Sequence, residues 1–167
     1  MRAENIESDL RSVTFEFFYN FSRFEFALKE NGILRSDVPG NSAEPGWSKF
    51  IALHQDTFVP SQASRNIVAL NPLAQKIGEN TSLVWEQVFI PVNASELKLV
   101  VTLLKTTRNN LFHGGKSGAK GWDDPVRTME LLKTGIEILN ELAEMAAIQG
   151  DYPVSYTHLT LPTILLV

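Results

Sequence analysis

The chain contains no cysteine, and this absence sets its first chemical limits. Disulfide bonds and thiolate metal sites are excluded, so the sequence favours a reducing compartment, and we expect a cytoplasmic protein. The sequence also lacks an apolar run long enough to span a bilayer. Its first residues are charged and carry no apolar signal-peptide core. We therefore expect neither membrane insertion nor export.

Acidic residues are missing from residues 97–122, although the whole chain has a net charge of −4. This segment holds five basic residues, Lys98, Lys105, Arg108, Lys116 and Lys120. The net charge argues against a general nucleic-acid coat protein, whereas one local cationic segment favours contact with a polyanion. A second reading is that cations stabilise the C-terminus of a helix, which accounts for Lys105 and Arg108 but less well for Lys116 and Lys120.

The composition is that of a folded protein, with 44% hydrophobic and 20% charged residues. We predict one domain over residues 1–152. Residues 154–163 read VSYTHLTLPT, which resembles a translated sequencing adapter, so residues 153–167 are predicted to be a non-native tail. The other reading of this segment is a C-terminal strand.

Helical periodicity is strongest in three long segments, residues 5–30, 95–113 and 125–149. Their apolar stripes are Leu10, Val13, Phe17, Phe21, Phe24 and Leu28; Leu97, Val100, Val101, Leu104 and Leu111; and Val126, Met129, Leu132, Ile136, Leu139, Ala143 and Ala146. Ser95 and Asp123 or Asp124 are suitable N-caps, and Pro125 suits a first helical position. A second apolar line on the first helix, Phe15, Phe18 and Phe26, indicates another neighbour or a partner subunit.

Weaker signals lie between these segments. Residues 36–46 read as a loop, residues 47–58 as a shorter helix and residues 61–68 as a short helix, while residues 84–90 suit either a helix or a strand. Three tryptophans, Trp47, Trp85 and Trp122, are read as packing anchors, and Glu25 with Lys29 as a surface ion pair. The predicted fold is all-α, an up-and-down bundle of four to five helices whose last two long helices are antiparallel neighbours.

The segment with most chemical content is Arg108-Asn109-Asn110-Leu111-Phe112-His113, which two glycines follow. The planar guanidinium of Arg108 matches a phosphate group, and His113 is the side chain type best suited to move a proton near neutral pH. This pair suffices for cutting a phosphodiester without a metal. We find no metal-ligand spacing and expect no cofactor.

This pattern resembles the R-x4-H signature of the HEPN superfamily, and residues 21–29 resemble the opening helix of a prokaryotic branch of it. The resemblance gives a second reading of Arg23 and Glu25, in which they serve the family's function. The resemblance implies a HEPN-like helical bundle that is a metal-independent endoribonuclease of toxin or phage-defence type. By this resemblance we expect the protein to cleave RNA by attack of the ribose 2′-OH, to work as a homodimer and to have a possible antitoxin or inhibitor protein as partner. One departure is Gly115, where many such toxins carry a tyrosine.

A five-residue step turns about 140° around a helix, so Arg108 and His113 do not share one narrow face. One solution is that the long Arg108 side chain swings toward the helix end. A two-fold dimer is the more natural solution, because each subunit then brings both groups to a shared cleft. The predicted catalytic residues are Arg108, His113 and Asn109, and the predicted RNA-binding residues are Lys105, Lys116 and Lys120. The main alternative is a non-catalytic HEPN-like module that binds RNA or protein, and a third reading is a purely structural bundle.

Overall fold

The computed structural model describes residues 8–112, 124–148, 150 and 152, and the chain is mostly helical within them. The helices there are α1 (Ser8–Glu30), α2 (Trp47–His54), α3 (Gln62–Leu70), α4 (Glu96–Phe112) and α5 (Pro125–Met145). A small antiparallel sheet is formed by β1 (Ala74–Ile77) and β2 (Leu83–Glu86). None of the described helices combines the length and the apolar character of a bilayer span.

The core forms where α5 packs along α1 and α3, while α4 lies against α2, α3 and α5. The stripe predicted on α1 is confirmed at Leu10, Phe17, Phe21, Phe24 and Leu28, which are buried, while the sixth member, Val13, is half-buried against the core. Phe24 packs on Trp47 and Phe50, with ring centroids 5.1 and 5.5 Å apart. The second apolar line is exposed in this single chain, at 69% for Phe15, 41% for Phe18 and 39% for Phe26.

Helix α5 begins as its sequence predicts. The Asp124 carboxylate accepts from the Arg127 N–H at 2.8 Å, and Pro125 is the first helical residue. The prediction that Val126 is buried is wrong, since its side chain is 77% exposed. The buried face of α5 begins instead at Thr128, two residues later. Two residues turn the helix by about 200°, so Val126 lies on the opposite side from Thr128.

The end of α5 was predicted too late in the chain. The helix ends at Met145, because Ala147 has a positive φ of 55° and turns the backbone. The N–H groups of Ala147 and Ile148 then donate to the carbonyls of Glu144 and Ala143, each at 3.0 Å. The buried Ile148 side chain covers this end of the core. Helix α2 also ends earlier than predicted, at His54.

Gly135 lets α5 approach α1 closely. A Cβ atom at this position would lie 2.5 Å from Cε2 of Phe17 and 3.3 Å from Cδ1 of Leu104. The buried Phe17 ring therefore occupies the space that any larger residue would need. This contact fixes α1, α4 and α5 around one point of the core.

The all-α prediction needs correction at one place, because residues 74–86 form a β-hairpin. Its strands have only four residues each, and the Gly78 N–H donates to the Ser82 carbonyl at 2.7 Å across the turn. Asn80 and Thr81 adopt positive φ angles of 53° and 61° in that turn. Such short strands carry little alternation of burial, so the local pattern of residues 74–86 is a weak signal for a hairpin. For residues 84–90, the extended reading is correct for residues 84–86, which belong to β2, and residues 87–90 form neither a helix nor a strand.

Candidate functional site

Helix α4 carries the first predicted site residues. It begins at Glu96, where the Ser95 hydroxyl accepts from the Lys98 N–H at 3.3 Å, as the predicted cap requires. The face of α4 that holds Leu97, Val100 and Leu104 is buried in the core. Lys105 and Arg108 lie beside this face, three residues and nearly one turn apart, and are half-buried.

Arg108 is held on several sides by described residues. Its guanidinium carbon lies 5.1 Å from the ring centroids of both Phe21 and Phe112. Its Nη2 lies 3.3 Å from Oε2 of Glu25, and its Nη1 donates to the Asn109 side-chain oxygen at 3.0 Å. Only 30% of the Arg108 side chain is exposed. The guanidinium is thus oriented by two rings and one carboxylate rather than free in solvent.

Glu25 on α1 links three elements. Besides contacting Arg108, its Oε1 accepts from the Trp47 indole N–H at 2.9 Å, and 21% of the Glu25 side chain is exposed. The sequence predicted an ion pair between Glu25 and Lys29, but the carboxylate pairs instead with Arg108 and accepts a hydrogen bond from Trp47. Trp47 is 6% exposed, which agrees with its predicted role as a packing anchor. Trp85 is 37% exposed and fits that role less well.

Lys105 has a different environment from Arg108. Its ammonium lies 5.8 Å from the Trp47 ring centroid. Among the residues that the structure describes, it forms no ion pair with a carboxylate. Burial lowers the pKa of Lys105, Glu25 raises it, and the cations Arg108 and Arg35 lower it further. The net effect is a lowered pKa, so the charged form of Lys105 is held at a cost.

Lys105, Arg108 and Asn109 on α4 form one wall of a cavity, and a loop between α1 and α2 forms the opposite wall. An isolated bridge between Leu34 and Pro45 closes this loop, and the Arg35 N–H donates to the Glu44 carbonyl at 2.9 Å. Gly46 is needed at the crossing, since a Cβ there would lie 2.6 Å from the Leu34 carbonyl carbon and oxygen. Arg35 in this closed loop and Trp47 at the start of α2 line the same cavity.

These two walls enclose a cavity of about 600 Å³. Four cations line it, Arg35, Lys49, Lys105 and Arg108, together with the two carboxylates Glu25 and Glu44. The lining thus has two more positive than negative groups in a chain whose net charge is −4. Such a cavity favours anions. Within the described ranges, no three side chains of the types that ligate metals converge on one point.

The structure brings together three of the six predicted site residues. Arg108, Asn109 and Lys105 all line the cavity. His113, Lys116 and Lys120 lie outside the described residues, as do Trp122 and the predicted tail at residues 153–167. The described part of the site is therefore the guanidinium, the amide and one ammonium group on the last turns of α4.

Five charged or aromatic lining residues were not among the predicted site residues. Glu25 was assigned mainly to Lys29, Trp47 was treated only as a packing residue, and Arg35, Glu44 and Lys49 were not singled out. Eighty-three residues separate Glu25 from Arg108, so no local pattern connects them. The aromatic and charged character of residues 21–26 was the one available signal.

A scan against family models, a search among curated proteins and a search among solved structures found no match to this chain.

Proposed function

We propose that this chain is a HEPN-like helical domain that binds RNA at the cationic cavity and cleaves it without a metal. The single observation that carries the proposal is the cavity itself, where Arg108 and Lys105 of the motif helix meet Arg35 and Lys49. A cavity with a positive lining in an acidic protein attracts anionic ligands to that one place. RNA supplies repeated phosphates at its surface.

Arg108 would contact the scissile phosphate. Glu25 and the rings of Phe21 and Phe112 orient its guanidinium, which has five N–H donors and keeps several for a ligand. In the reaction the ribose 2′-oxygen bonds to phosphorus and the bond from phosphorus to the 5′-oxygen breaks. Negative charge builds on the phosphate oxygens, where Arg108 and Lys105 would offset it. Asn109 would hold the phosphate or orient the proton-transfer group.

His113 completes the proposed chemistry. One imidazole would take the 2′-OH proton and a second would return a proton to the leaving 5′-oxygen, so the products carry a 2′,3′-cyclic phosphate and a 5′-OH. A positioned acid–base group contributes roughly 10²–10⁴-fold to the rate. Since each chain brings one such histidine, a homodimer with a shared cleft would supply the pair.

The surface next to Arg108 supports this pairing of two copies. Phe112 contacts both Arg108 and Phe18, with the ring centroids of Phe18 and Phe112 4.7 Å apart. Phe112 is 52% and Phe18 41% exposed, and Phe15 adds a third exposed ring. A second copy that covers these rings would bring its own Arg108 close to the first, and light scattering measures whether the pair forms.

The experiment is RNA cleavage by the purified protein in EDTA, beside Arg108→Ala and His113→Ala. Arg65→Ala is a matched control, because it removes an exposed arginine that does not line the cavity. We expect the wild type and the control to cut single-stranded RNA and the two site variants to lose at least about 100-fold in rate. Uncut RNA in every sample would refute the nuclease proposal.

A second candidate is a module that binds RNA without cutting it. The observation that favours it is the engagement of Arg108 by Glu25, which also suits an ion pair that joins α1 to α4. This candidate predicts that the wild type retains RNA in a binding assay, that Arg108→Ala weakens the complex, and that no cyclic phosphate is formed.

A further inference from the structure

The wall of the cavity opposite α4 carries its own pair of cations. Arg35 belongs to the loop after α1 and Lys49 to α2, and neither is part of the arginine–histidine motif. The Lys49 ammonium donates to the Gly32 carbonyl at 3.2 Å, which anchors it to the base of the loop. The Leu34–Pro45 bridge and the bond from the Arg35 N–H to the Glu44 carbonyl fix the backbone at Arg35. The Lys49 ammonium and the Arg35 backbone are therefore both held at the closed loop.

Each of these cations is paired with an exposed carboxylate. Arg35 contacts Glu44 at 2.6 Å, with side chains 74% and 50% exposed, and Lys49 contacts Asp37 at 3.2 Å. Ion pairs at such exposure contribute little to stability, because water screens them. An RNA phosphodiester carries one negative charge, as each of these carboxylates does, so it can replace them on Arg35 and Lys49 at small cost. The half-buried pair of Arg108 and Glu25 is less easily exchanged.

Lys105 connects the two walls. The charges of Arg108 and Arg35 both lower the pKa of Lys105, so each of these two cations lies within electrostatic range of Lys105. The cavity volume of about 600 Å³ lies in the range that holds a small organic ligand, and it is more than one phosphate requires. A nucleotide with a phosphate at each end is a suitable occupant, whereas a double helix is too wide.

We propose that Arg35 and Lys49 form a second phosphate subsite, so that single-stranded RNA spans the cavity with one phosphate at Arg108 and a neighbouring one at this subsite. The inference rests on the proposed function, since it extends the same site. It gives the substrate a path across the loop after α1 that the motif does not indicate. It also makes single-stranded RNA, rather than a duplex, the preferred substrate.

The test is the binding of a fluorescent single-stranded uridine oligonucleotide to full-length His113→Ala, over a series of salt concentrations. The test variant adds Arg35→Ala and Lys49→Ala. The matched control adds Arg65→Ala and Lys76→Ala, which likewise remove one exposed arginine and one exposed lysine, both outside the cavity. Circular dichroism checks that every variant is folded.

We expect the test variant to bind about 10-fold more weakly than the control. The slope of log affinity against log salt should be shallower by about 0.7, since the subsite holds one phosphate and each phosphate contact to a single strand contributes roughly 0.7. Uridine monophosphate has one phosphate, so its inhibition constant for displacing the oligonucleotide should be the same for the test variant and the control. A weaker inhibition constant for the test variant alone would mean that the subsite binds free phosphate groups. That result would overturn the two-phosphate path.

A second pair of variants keeps the proposal testable if the alanine variant is unfolded. Asp37→Asn with Glu44→Gln frees Lys49 and Arg35, and it should strengthen oligonucleotide binding by a few-fold relative to Glu79→Gln with Glu86→Gln, which removes two carboxylates from the hairpin. Equal binding by test and control variants, with binding still lost in Arg108→Ala, overturns the subsite and leaves the proposed function in place. A wild-type protein that binds no RNA overturns both.

Discussion

The ion pair between Glu25 and Arg108 gives the sharpest prediction for stability. Its nitrogen–oxygen distance is 3.3 Å, and the two side chains are 21% and 30% exposed, so it lies between a surface pair and a buried one. Surface pairs contribute about 0–1 kcal/mol, and breaking a fully buried pair costs about 3–5 kcal/mol. We therefore expect Glu25→Gln, which can still accept from the Trp47 indole, to lower the free energy of unfolding by about 1–2 kcal/mol.

The assay is a double-mutant cycle of Glu25→Gln and Arg108→Leu, measured by urea unfolding at neutral pH. The expected coupling free energy is about 1 kcal/mol, and Glu25→Gln alone should lower Tm by roughly 3–6 °C. The control cycle uses Lys76 and Glu86, whose ion pair is shorter at 3.0 Å but more exposed, at 45% and 54%. That cycle should give a coupling below about 0.5 kcal/mol. A Glu25–Arg108 coupling no larger than the control would refute the reasoning, because burial would then add nothing to the pair.

Three further predictions concern single positions. Gly135→Ala forces a methyl group against Phe17, so overpacking of about 1–3 kcal/mol should exceed the helix-propensity gain of about 1 kcal/mol and lower the urea midpoint; a raised midpoint would contradict the packing described. The pKa of Lys105 is lowered in the folded state, so the unfolded chain binds this proton more tightly, and stability should rise with pH up to the usual lysine pKa of 10.5. Lys105→Met should abolish this rise, increase Tm at pH 7 and weaken RNA binding. A lower Tm for this variant would exclude the desolvation cost. Val126→Asn should change the free energy of unfolding by less than about 0.5 kcal/mol, since Val126 is exposed, and a large loss in urea unfolding would show that it is covered.

Long periodic segments were predictable because burial on a helix repeats at a fixed interval. The interval places Phe17, Phe21 and Phe24 on one face of α1, and these rings are buried. Local hydrogen bonds fixed the start of α5 at Asp124 in the same way. The hairpin was not predicted because its stability depends on pairing between two four-residue strands, which leaves no period in either strand alone.

The candidate site was predictable only where its residues share a helix. Lys105, Arg108 and Asn109 are close in sequence, so one motif contains them all. Glu25 and Arg35 reach the same cavity through tertiary contacts, namely the packing of α1 and the closing of the loop at Gly46. Such contacts depend on the positions of distant segments, and no spacing in the sequence encodes them.

The energetic position of Lys105 favours a binding role for the cavity over a purely structural one. Lys105 and Arg108 are like charges three residues apart on one helix, an arrangement that destabilises a helix by roughly 0.2–0.5 kcal/mol. Lys105 is also partly desolvated without an ion pair among the described residues, which disfavours its charged form. An uncharged residue would relieve both costs, and α4 already places buried threonines at neighbouring positions. A bound phosphate relieves both costs as well, because it supplies a negatively charged partner for Lys105. The cost is thus explained if the cavity is occupied by an anion when the protein works.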